Sequence, residues 1–249
     1  MYLKMDKEKE KKKTKNKLLE LFRPYVPQAV TSRILEGQAS LPSERREATV
    51  VFLDIKDFTN FAEHLEPEEA VEILNQIFKP IINIIYKYEG SINKFLGDGL
   101  MIVFGIPYSR ENDPERAVRA SLEVMKSIQK NGIIKMDNEK IKLKARIGIN
   151  TGLCISGEIG SPTRKEFTVI GDTVNLASRL QVNAPTGEIM VGERTYQKIK
   201  DNFTFTPSRK LKIKGKKDLI NVYILKKIEN IFYFLRDKLC LKIKILIVN

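Results

Sequence analysis

Two aspartates beside apolar segments are the residues best suited to chemistry in this chain. Asp54 ends the apolar run 50–53, and Asp98 lies just before the apolar run 100–104. A buried aspartate needs a partner, so each carboxylate either accepts backbone hydrogen bonds or coordinates a cation. Two such aspartates in one domain favour the cation, because Mg²⁺ is commonly held by one or two carboxylates together with substrate phosphates. The alternative, in which either aspartate only caps a turn, stays open on residue type alone.

The separation of Asp54 and Asp98 also suits a metal site. It fits one helix and one strand that returns to pair beside the first strand, which would bring both carboxylates to the same edge of a sheet. The chain has a single histidine, His64, which we interpret as a surface or packing residue. No Ser/His/Asp or Cys/His nucleophile arrangement can be built around it.

The elements that position these aspartates can be read from the hydrophobic pattern. Residues 48–54, 91–95 and 100–104 have the character of strands, and residues 67–88 show helical spacing. A Gly-Asp-Gly segment between the second and third strands predicts a hairpin turn that carries Asp98. We expect these further elements: a helix with Asp113 as N-cap and Pro114 in its first turn, strands 141–150 and 154–159 joined in a hairpin by Thr151-Gly152, helices 173–182 and 193–200, and strands 211–214 and 221–225.

The order of these elements indicates the fold class. The sequence βαββαβ is that of a ferredoxin-like α+β core, with helices on one face of the sheet, and a helix and a β-hairpin are added after it. At 249 residues the chain is long enough for one large domain with tails.

The net charge of +13 is concentrated at the two ends of the chain. Residues 1–19 hold eight lysines against three acidic residues, and residues 205–249 hold twelve lysines and arginines against three, which leaves the middle nearly neutral. Lysines 11–13 are not interleaved with aromatic residues, as a single-stranded nucleic-acid surface would require. We therefore expect a solvated arm and no specific nucleic-acid partner, although a basic nucleic-acid-binding protein is one competing interpretation.

Cysteine content and hydropathy predict a cytoplasmic protein. Cys154 and Cys240 are too few for a disulfide framework or a zinc cluster. The N-terminus has no apolar signal stretch, and no apolar run is long enough to span a membrane. We interpret the tail 228–249 as an amphipathic element that packs on the domain or on a partner, with membrane-surface contact as the less favoured alternative.

The segment 167–180, Phe-Thr-Val-Ile-Gly-Asp-Thr-Val-Asn-Leu-Ala-Ser-Arg-Leu, completes a recognisable pattern. With the Asp-ending strand and the Gly-Asp-Gly hairpin in this order, the chain resembles the catalytic domain of class III nucleotidyl cyclases, the adenylate and guanylate cyclases. The resemblance divides the chain as follows: a basic arm 1–19, a helical lead-in and linker 20–46 of the kind that joins an upstream sensor or regulator, a catalytic domain 47–227, and the tail 228–249 of unknown role.

The resemblance implies two-metal chemistry. Asp54 and Asp98 match the family's metal ligands, with the Ile55 carbonyl as a third ligand, for two Mg²⁺ or Mn²⁺ ions per site. Backbone N–H groups at Phe58 and Thr59, where a helix starts, could hold phosphate. The neighbouring Asp57 departs from the family, in which glycine is frequent at this position, and its side chain could cap the helix.

The resemblance also assigns residues that contact the substrate. Asn175 and Arg179 share one helix face; taken alone they could be a solvated surface, but the matching residues in the family orient the ribose and stabilise the transition state. Lys214 matches a triphosphate-binding lysine, with the register among lysines 212, 214 and 216 open and a generic basic hairpin as the alternative. Arg164 is a further candidate for a β/γ-phosphate contact.

Substrate choice depends on two positions. Lys94 corresponds to the purine-reading lysine of adenylate cyclases, where guanylate cyclases tend to have glutamate. Thr168 occupies the place filled by threonine in one bacterial-type subclass of adenylate cyclases. A lysine can donate to adenine N1 and a threonine hydroxyl can accept from the N6 amine, so the pair favours ATP.

In this family the metal-binding aspartates of one subunit face the base-reading and Asn/Arg residues of the other. We therefore expect a homodimer with two complete sites. The predicted function is an adenylate cyclase that converts ATP to cyclic AMP and pyrophosphate in intracellular signalling. The alternatives are a catalytically silent cyclase-like module that binds nucleotide or mediates dimerisation, and a guanylate cyclase.

Overall fold

A computed structural model describes residues 17, 20–35, 37, 42–136, 139–161, 163–212 and 218–226. A 3₁₀ turn at Arg23–Tyr25 precedes the helix Gln28–Leu35. In chain order the elements are α1 Gln28–Leu35, β1 Glu44–Lys56, α2 Phe58–Ala62, α3 Pro67–Lys87, β2 Ser91–Leu96, β3 Gly99–Phe104, α4 Asp113–Asn131, β4 Ile133–Met136, β5 Glu139–Lys142, β6 Lys144–Ser161, β7 Arg164–Ile170, α5 Asp172–Asn183, β8 Ile189–Gly192, α6 Glu193–Ile199, β9 Arg209–Leu211 and β10 Ile220–Ile224.

One eight-stranded sheet organises the described part of the chain. Its strands lie in the order β2-β3-β1-β6-β8-β10-β9, with β7 paired to β6, and β4 and β5 form a separate hairpin. The segment β2-β3-β1-β6 is antiparallel throughout, whereas β8 runs parallel to β6. This order is that of a βαββαβ ferredoxin-like core, so the predicted α+β fold class is confirmed.

Alternation along the central strands separates two faces of the sheet. Val51, Leu53 and Ile55 of β1 pack in the main core with α3 and α4, while Val50 packs in a second cluster with α5. Because Asp54 alternates with Leu53 and Ile55, it lies on the same face as Val50, which is the α5 side of the sheet.

Helix α3 begins after a capping box between Glu66 and Glu69 and has Pro67 in its first turn.

Gly148 allows α5 to approach the sheet closely. A Cβ atom at Gly148 would lie 2.1 Å from the Gln181 backbone nitrogen and 2.4 Å from the Ala177 carbonyl oxygen. Any side chain larger than hydrogen would push the helix away. This contact fixes the position of the helix that carries Asn175 and Arg179.

The hairpin predicted at Thr151-Gly152 is wrong. Strand β6 continues without a break, and Thr151 and Gly152 pair with Thr49 and Ala48 in the long β1–β6 ladder. Hydrogen bonding along all thirteen residues of β1 outweighs the local turn preference of a Thr-Gly pair. The chain instead reverses between β6 and β7.

Smaller differences concern element ends. Helix α4 begins at Asp113, so Asn112 is the N-cap residue, and the Asp113 carboxylate accepts a hydrogen bond from the Arg110 backbone nitrogen at 2.7 Å. The strand predicted over 141–150 starts at Lys144, after the β4–β5 hairpin. The strand predicted over 211–214 is described only as β9, and residues 213–217 lie outside the described residues.

Candidate active site

The structure brings the two predicted metal-binding aspartates to one place. Asp54 pairs with Gly99 in the β1–β3 ladder, and Asp98 is the residue before that glycine. The Ile55 backbone nitrogen donates to the Asp98 carbonyl oxygen at 3.3 Å, which joins the two segments directly. The two aspartates therefore lie together as the sequence predicted, although the strand that pairs beside β1 is β3, which follows Asp98, and not β2, which precedes it. Their role as metal ligands stays a prediction.

Arg146 is a site residue that the sequence reasoning missed. It pairs with Asp54 in the β1–β6 register, and its Nη2 lies 2.6 Å from Asp54 Oδ2, with Nε at 3.3 Å from the same oxygen. Its Nη1 donates to the Val182 carbonyl of α5 at 3.4 Å. A charged residue at an alternating position of an apolar strand was the signal that could have revealed it.

The electrostatics of the site leave negative charge incompletely balanced. Burial raises the pKa of the Asp98 carboxyl, and the negative charge of Asp54 raises it further, against the lowering effects of a backbone hydrogen bond and Arg146. One guanidinium thus serves two neighbouring carboxylates. A cation at this position would relieve that repulsion.

The residues present fit a hard divalent ion. Within the described ranges, no group of three or more His, Cys, Asp or Glu side chains is placed to bind a metal by itself, so an ion here would need further ligands besides the two carboxylates. Two carboxylates and the predicted Ile55 carbonyl supply oxygen donors only, and Mg²⁺ characteristically completes such a shell with substrate phosphates. Asp54, on the α5 side of β1, and Asp98, in the β2–β3 turn, would hold the ion.

The turn after β1 has an unusual backbone. Asp57 has φ of 62°, in the left-handed region that favours glycine, which explains why glycine is frequent here in the family that the chain resembles. Its side chain makes no cap hydrogen bond, so the capping role is wrong; it forms an ion pair with Lys56 instead. Phe58 is buried in the core, so only its backbone N–H suits phosphate, whereas Thr59 is exposed and offers its hydroxyl as well as its backbone N–H.

The predicted purine-reading residues lie close to each other. Lys94 of β2 forms an ion pair with Glu166 of β7. The Thr168 hydroxyl donates to Asn93 Oδ1 at 2.9 Å, and Asn93 Nδ2 donates to the Phe167 carbonyl at 3.4 Å. Adenine N1 would have to replace Glu166 as the partner of Lys94, whereas the Thr168 oxygen can still accept a hydrogen bond while it donates to Asn93. Glu166 and Asn93 were not identified from the sequence.

The remaining candidates are not joined to the carboxylates. On α5, Asn175 is exposed and Arg179 is half-buried, and among the described residues no hydrogen bond or ion pair links their side chains to Asp54 or Asp98. Arg164 is exposed at the start of β7. Lys214 lies outside the described residues.

The fold and the paired carboxylates define a nucleotide cyclase catalytic domain. Residues 42–227 match the family described as "Adenylate and Guanylate cyclase catalytic domain", and the chain belongs to this family. Adenylate cyclase 1 of Rhizobium meliloti (strain 1021) is 30% identical over 209 residues, which are 81% of this chain and 31% of that protein. Receptor-type guanylate cyclase gcy-13 of Caenorhabditis elegans is 33% identical over 193 residues, 76% of this chain and 18% of that protein.

Solved structures include cyclases of both substrate types. The crystal structure of the adenylyl cyclase CyaB from P. aeruginosa has a TM-score of 0.69 and 34% identity, and covers 76% of this chain and 98% of that chain. The guanylyl cyclase Cya2 has a TM-score of 0.69 and 30% identity, over 76% and 96%. The chain spans less than a third of the length of the two curated relatives named above. No helix among the described residues is long and apolar enough to cross a membrane.

Proposed function

We propose that this chain is an adenylate cyclase that forms 3′,5′-cyclic AMP and pyrophosphate from ATP. The observation that carries the proposal is the juxtaposition of Asp54 and Asp98 with a single arginine, Arg146, between the sheet and α5. Within the family to which the chain belongs, this arrangement supplies what cyclisation needs: ligands for cations and a guanidinium for phosphate.

In the proposed reaction the ribose 3′-oxygen attacks the α-phosphorus, and pyrophosphate leaves in line. When bound, divalent ions would lower the pKa of the 3′-hydroxyl and stabilise charge on the triphosphate. Asp54 and Asp98 would hold the ions. Arg146 exchanges its bond to Asp54 for phosphate oxygens, because its planar fork can grip them in two places. Backbone N–H groups at Phe58 and Thr59, with Lys214 and Arg164, would contact the β- and γ-phosphates.

ATP is the proposed substrate because of Lys94 and Thr168, which together offer adenine a donor and an acceptor. A direct assay tests this: purified protein with ATP or GTP and Mn²⁺, with products separated by chromatography and Asp54→Asn as the inactive control. Cyclic AMP formed at higher kcat/KM than cyclic GMP supports the proposal. Preference for GTP would make the chain a guanylate cyclase, and no product from either would favour a silent nucleotide-binding module.

Lys94→Glu sharpens the assignment of the base pocket. A carboxylate accepts from guanine N1–H and N2–H, so the ATP-to-GTP ratio of kcat/KM should fall by about tenfold or more. Glu166→Gln is the matched control, because it removes the ion pair but keeps the lysine. An unchanged ratio in an active Lys94→Glu enzyme would remove Lys94 from the pocket.

A homodimer is proposed because, among the described residues, no hydrogen bond or ion pair joins Asn175 or Arg179 to the carboxylates within one chain. Exposed apolar side chains offer a surface for a second copy: Leu153, Ile155, Ile170 and Val182 are 45%, 51%, 51% and 59% exposed. Each site would combine Asp54 and Asp98 with Asn175 and Arg179 of the partner subunit. Control by a sensor in a further segment is proposed from the family alone.

Mixing two inactive variants tests the shared site. Asp54→Asn chains and Arg179→Ala chains should regain activity together, since one site of the mixed dimer is then intact. If subunit exchange is demonstrated and no activity returns, the shared-site arrangement is wrong.

A further inference from the structure

Next to the aspartate pair, the structure contains a group of lysines that the proposed reaction does not use. Lys56 and Lys144 are directly paired in the β1–β6 register, one same-face rung beyond Asp54 and Arg146. Residues two apart on a strand share a face, so the four side chains line one side of the sheet. On this face, the pair Asp54–Arg146 therefore joins opposite charges, and the following same-face pair, Lys56–Lys144, places two positive charges opposite each other.

Like charges directly opposite each other destabilise a strand pair. Lys56 is compensated by its ion pair with Asp57. Among the described residues, Lys144 and the neighbouring Lys142 form no ion pair, and both are exposed. Two of the three lysines thus lack a counter-charge within this part of the structure.

Lys56, Lys142 and Lys144 line a cavity of about 620 Å³. Asn60, Phe61 and His64 line it from α2 and the turn after it, and Thr186 lines it from the loop before β8. Among the described residues that line it, Asp57 is the one acidic residue, and a smaller adjoining cavity that shares Lys142 and Lys144 adds Glu188. The space accommodates a chain of several phosphate groups, and the charge of its wall is positive.

We propose that this cavity is a binding site for a polyphosphate anion, held by Lys56, Lys142 and Lys144 without a metal ion. The ligand class is a di- or triphosphate chain, either free or attached to a nucleoside. An anion in this cavity supplies the counter-charge that Lys142 and Lys144 lack and adds charge-assisted hydrogen bonds from the lysines. The binding step itself does not depend on cyclase activity, so the site stands even where the proposed function fails.

Calorimetric titration of the full chain with inorganic tripolyphosphate, in EDTA and at low salt, tests the site. EDTA removes the cations that a triphosphate would need at Asp54 and Asp98. The double variant Lys142→Gln/Lys144→Gln should bind about tenfold more weakly, and Lys142→Arg/Lys144→Arg should retain binding. The control Lys79→Gln/Lys200→Gln removes the same charge from exposed positions outside the cavity and should bind like wild type.

Further ligands and melting curves separate the sources of an effect. ATP should bind like tripolyphosphate in EDTA and AMP should bind more weakly, since the phosphate chain is the recognised group. Tripolyphosphate should raise the Tm of wild type but not of the Lys142/Lys144 double variant. Equal weakening in the Lys79/Lys200 control, AMP binding as tightly as ATP, or no binding in EDTA would each overturn the proposal.

Discussion

The carboxylates at the two ends of strand β1 differ in how many positive side chains they are paired with. At one end, called here the Glu47 end, Glu47 accepts from Arg194 and Lys198, both at 2.7 Å. At the other, the Asp54 end, Asp54 and Asp98 share the single guanidinium of Arg146. Burial alone would raise the pKa of Glu47, but the hydrogen bonds and charges of Lys198 and Arg194 lower it below its usual value, whereas the pKa of Asp98 is raised.

Neutral polar groups near the Glu47 end are also paired. Near the Glu47 end, the buried hydroxyls of Thr49 and Thr151 are 2.9 Å apart, and the Thr195 hydroxyl donates to Thr151 at 3.0 Å. Every one of these polar atoms has a protein partner. A strand end whose charges and hydroxyls are paired stabilises the fold, while two neighbouring carboxylates that share one guanidinium are suited to receive a cation.

Replacing the aspartates should produce the largest effect. Asp54→Asn and Asp98→Asn each remove a negative ligand while keeping side-chain shape, so turnover should fall by about a thousandfold or more. The Tm should not fall in Asp98→Asn, because a half-buried carboxylate that is repelled by Asp54 is removed. Glu47→Gln is the control at the other end and should keep nearly full kcat/KM. Near wild-type turnover in either asparagine variant at saturating Mg²⁺ would contradict the role of the Asp54 end as a cation site.

Arg146→Ala should have the next largest effect. Losing a fork that can bind phosphate should lower kcat/KM by about ten- to a hundredfold. Without the guanidinium the two aspartates repel each other, so the metal-free Tm should also drop. Mg²⁺ should then raise the Tm of this variant more than that of wild type, a difference measured by melting with and without the ion. An equal Mg²⁺ response would show that Arg146 does not compensate the pair.

Glu47→Gln should act on stability and not on catalysis. The lowered pKa means that the ionised Glu47 stabilises the folded state above its unfolded pKa, and that this contribution is lost as pH falls through the folded value. The loss at pH 7 should be about 0.5–1 kcal/mol, shrinking below about pH 4. Denaturant unfolding at pH 7 and at low pH measures it; a pH-independent difference would contradict an ionic origin.

Thr195→Val should give the smallest effect. It removes the donor to Thr151 in a fully buried position and should lower the free energy of unfolding by about 1 kcal/mol, with kcat/KM unchanged. Thr195→Ser, which keeps the hydroxyl, is the matched control. Loss of activity without loss of stability would mean that this end of β1 also serves catalysis.

The sequence indicated the fold and the aspartates well, but it was wrong about the middle of β6. Thr151-Gly152 has the composition of a turn, and only the partner strand β1 shows that this dipeptide lies inside a ladder. Residues with an obvious local signal, such as the Gly-Asp-Gly turn at Asp98, were placed correctly. Residues whose environment comes from distant strands were not.

Sequence alone determined the elements and the types of chemistry available, because apolar periodicity and aspartates at segment ends are local properties of the chain. Tertiary structure alone decided which charges meet. Arg146 reaches Asp54, Lys56 faces Lys144, and Lys94 pairs with Glu166 only because strand order and register bring distant segments together. Register is set by the packing of whole faces, so a pattern within one strand cannot reveal the opposite residue.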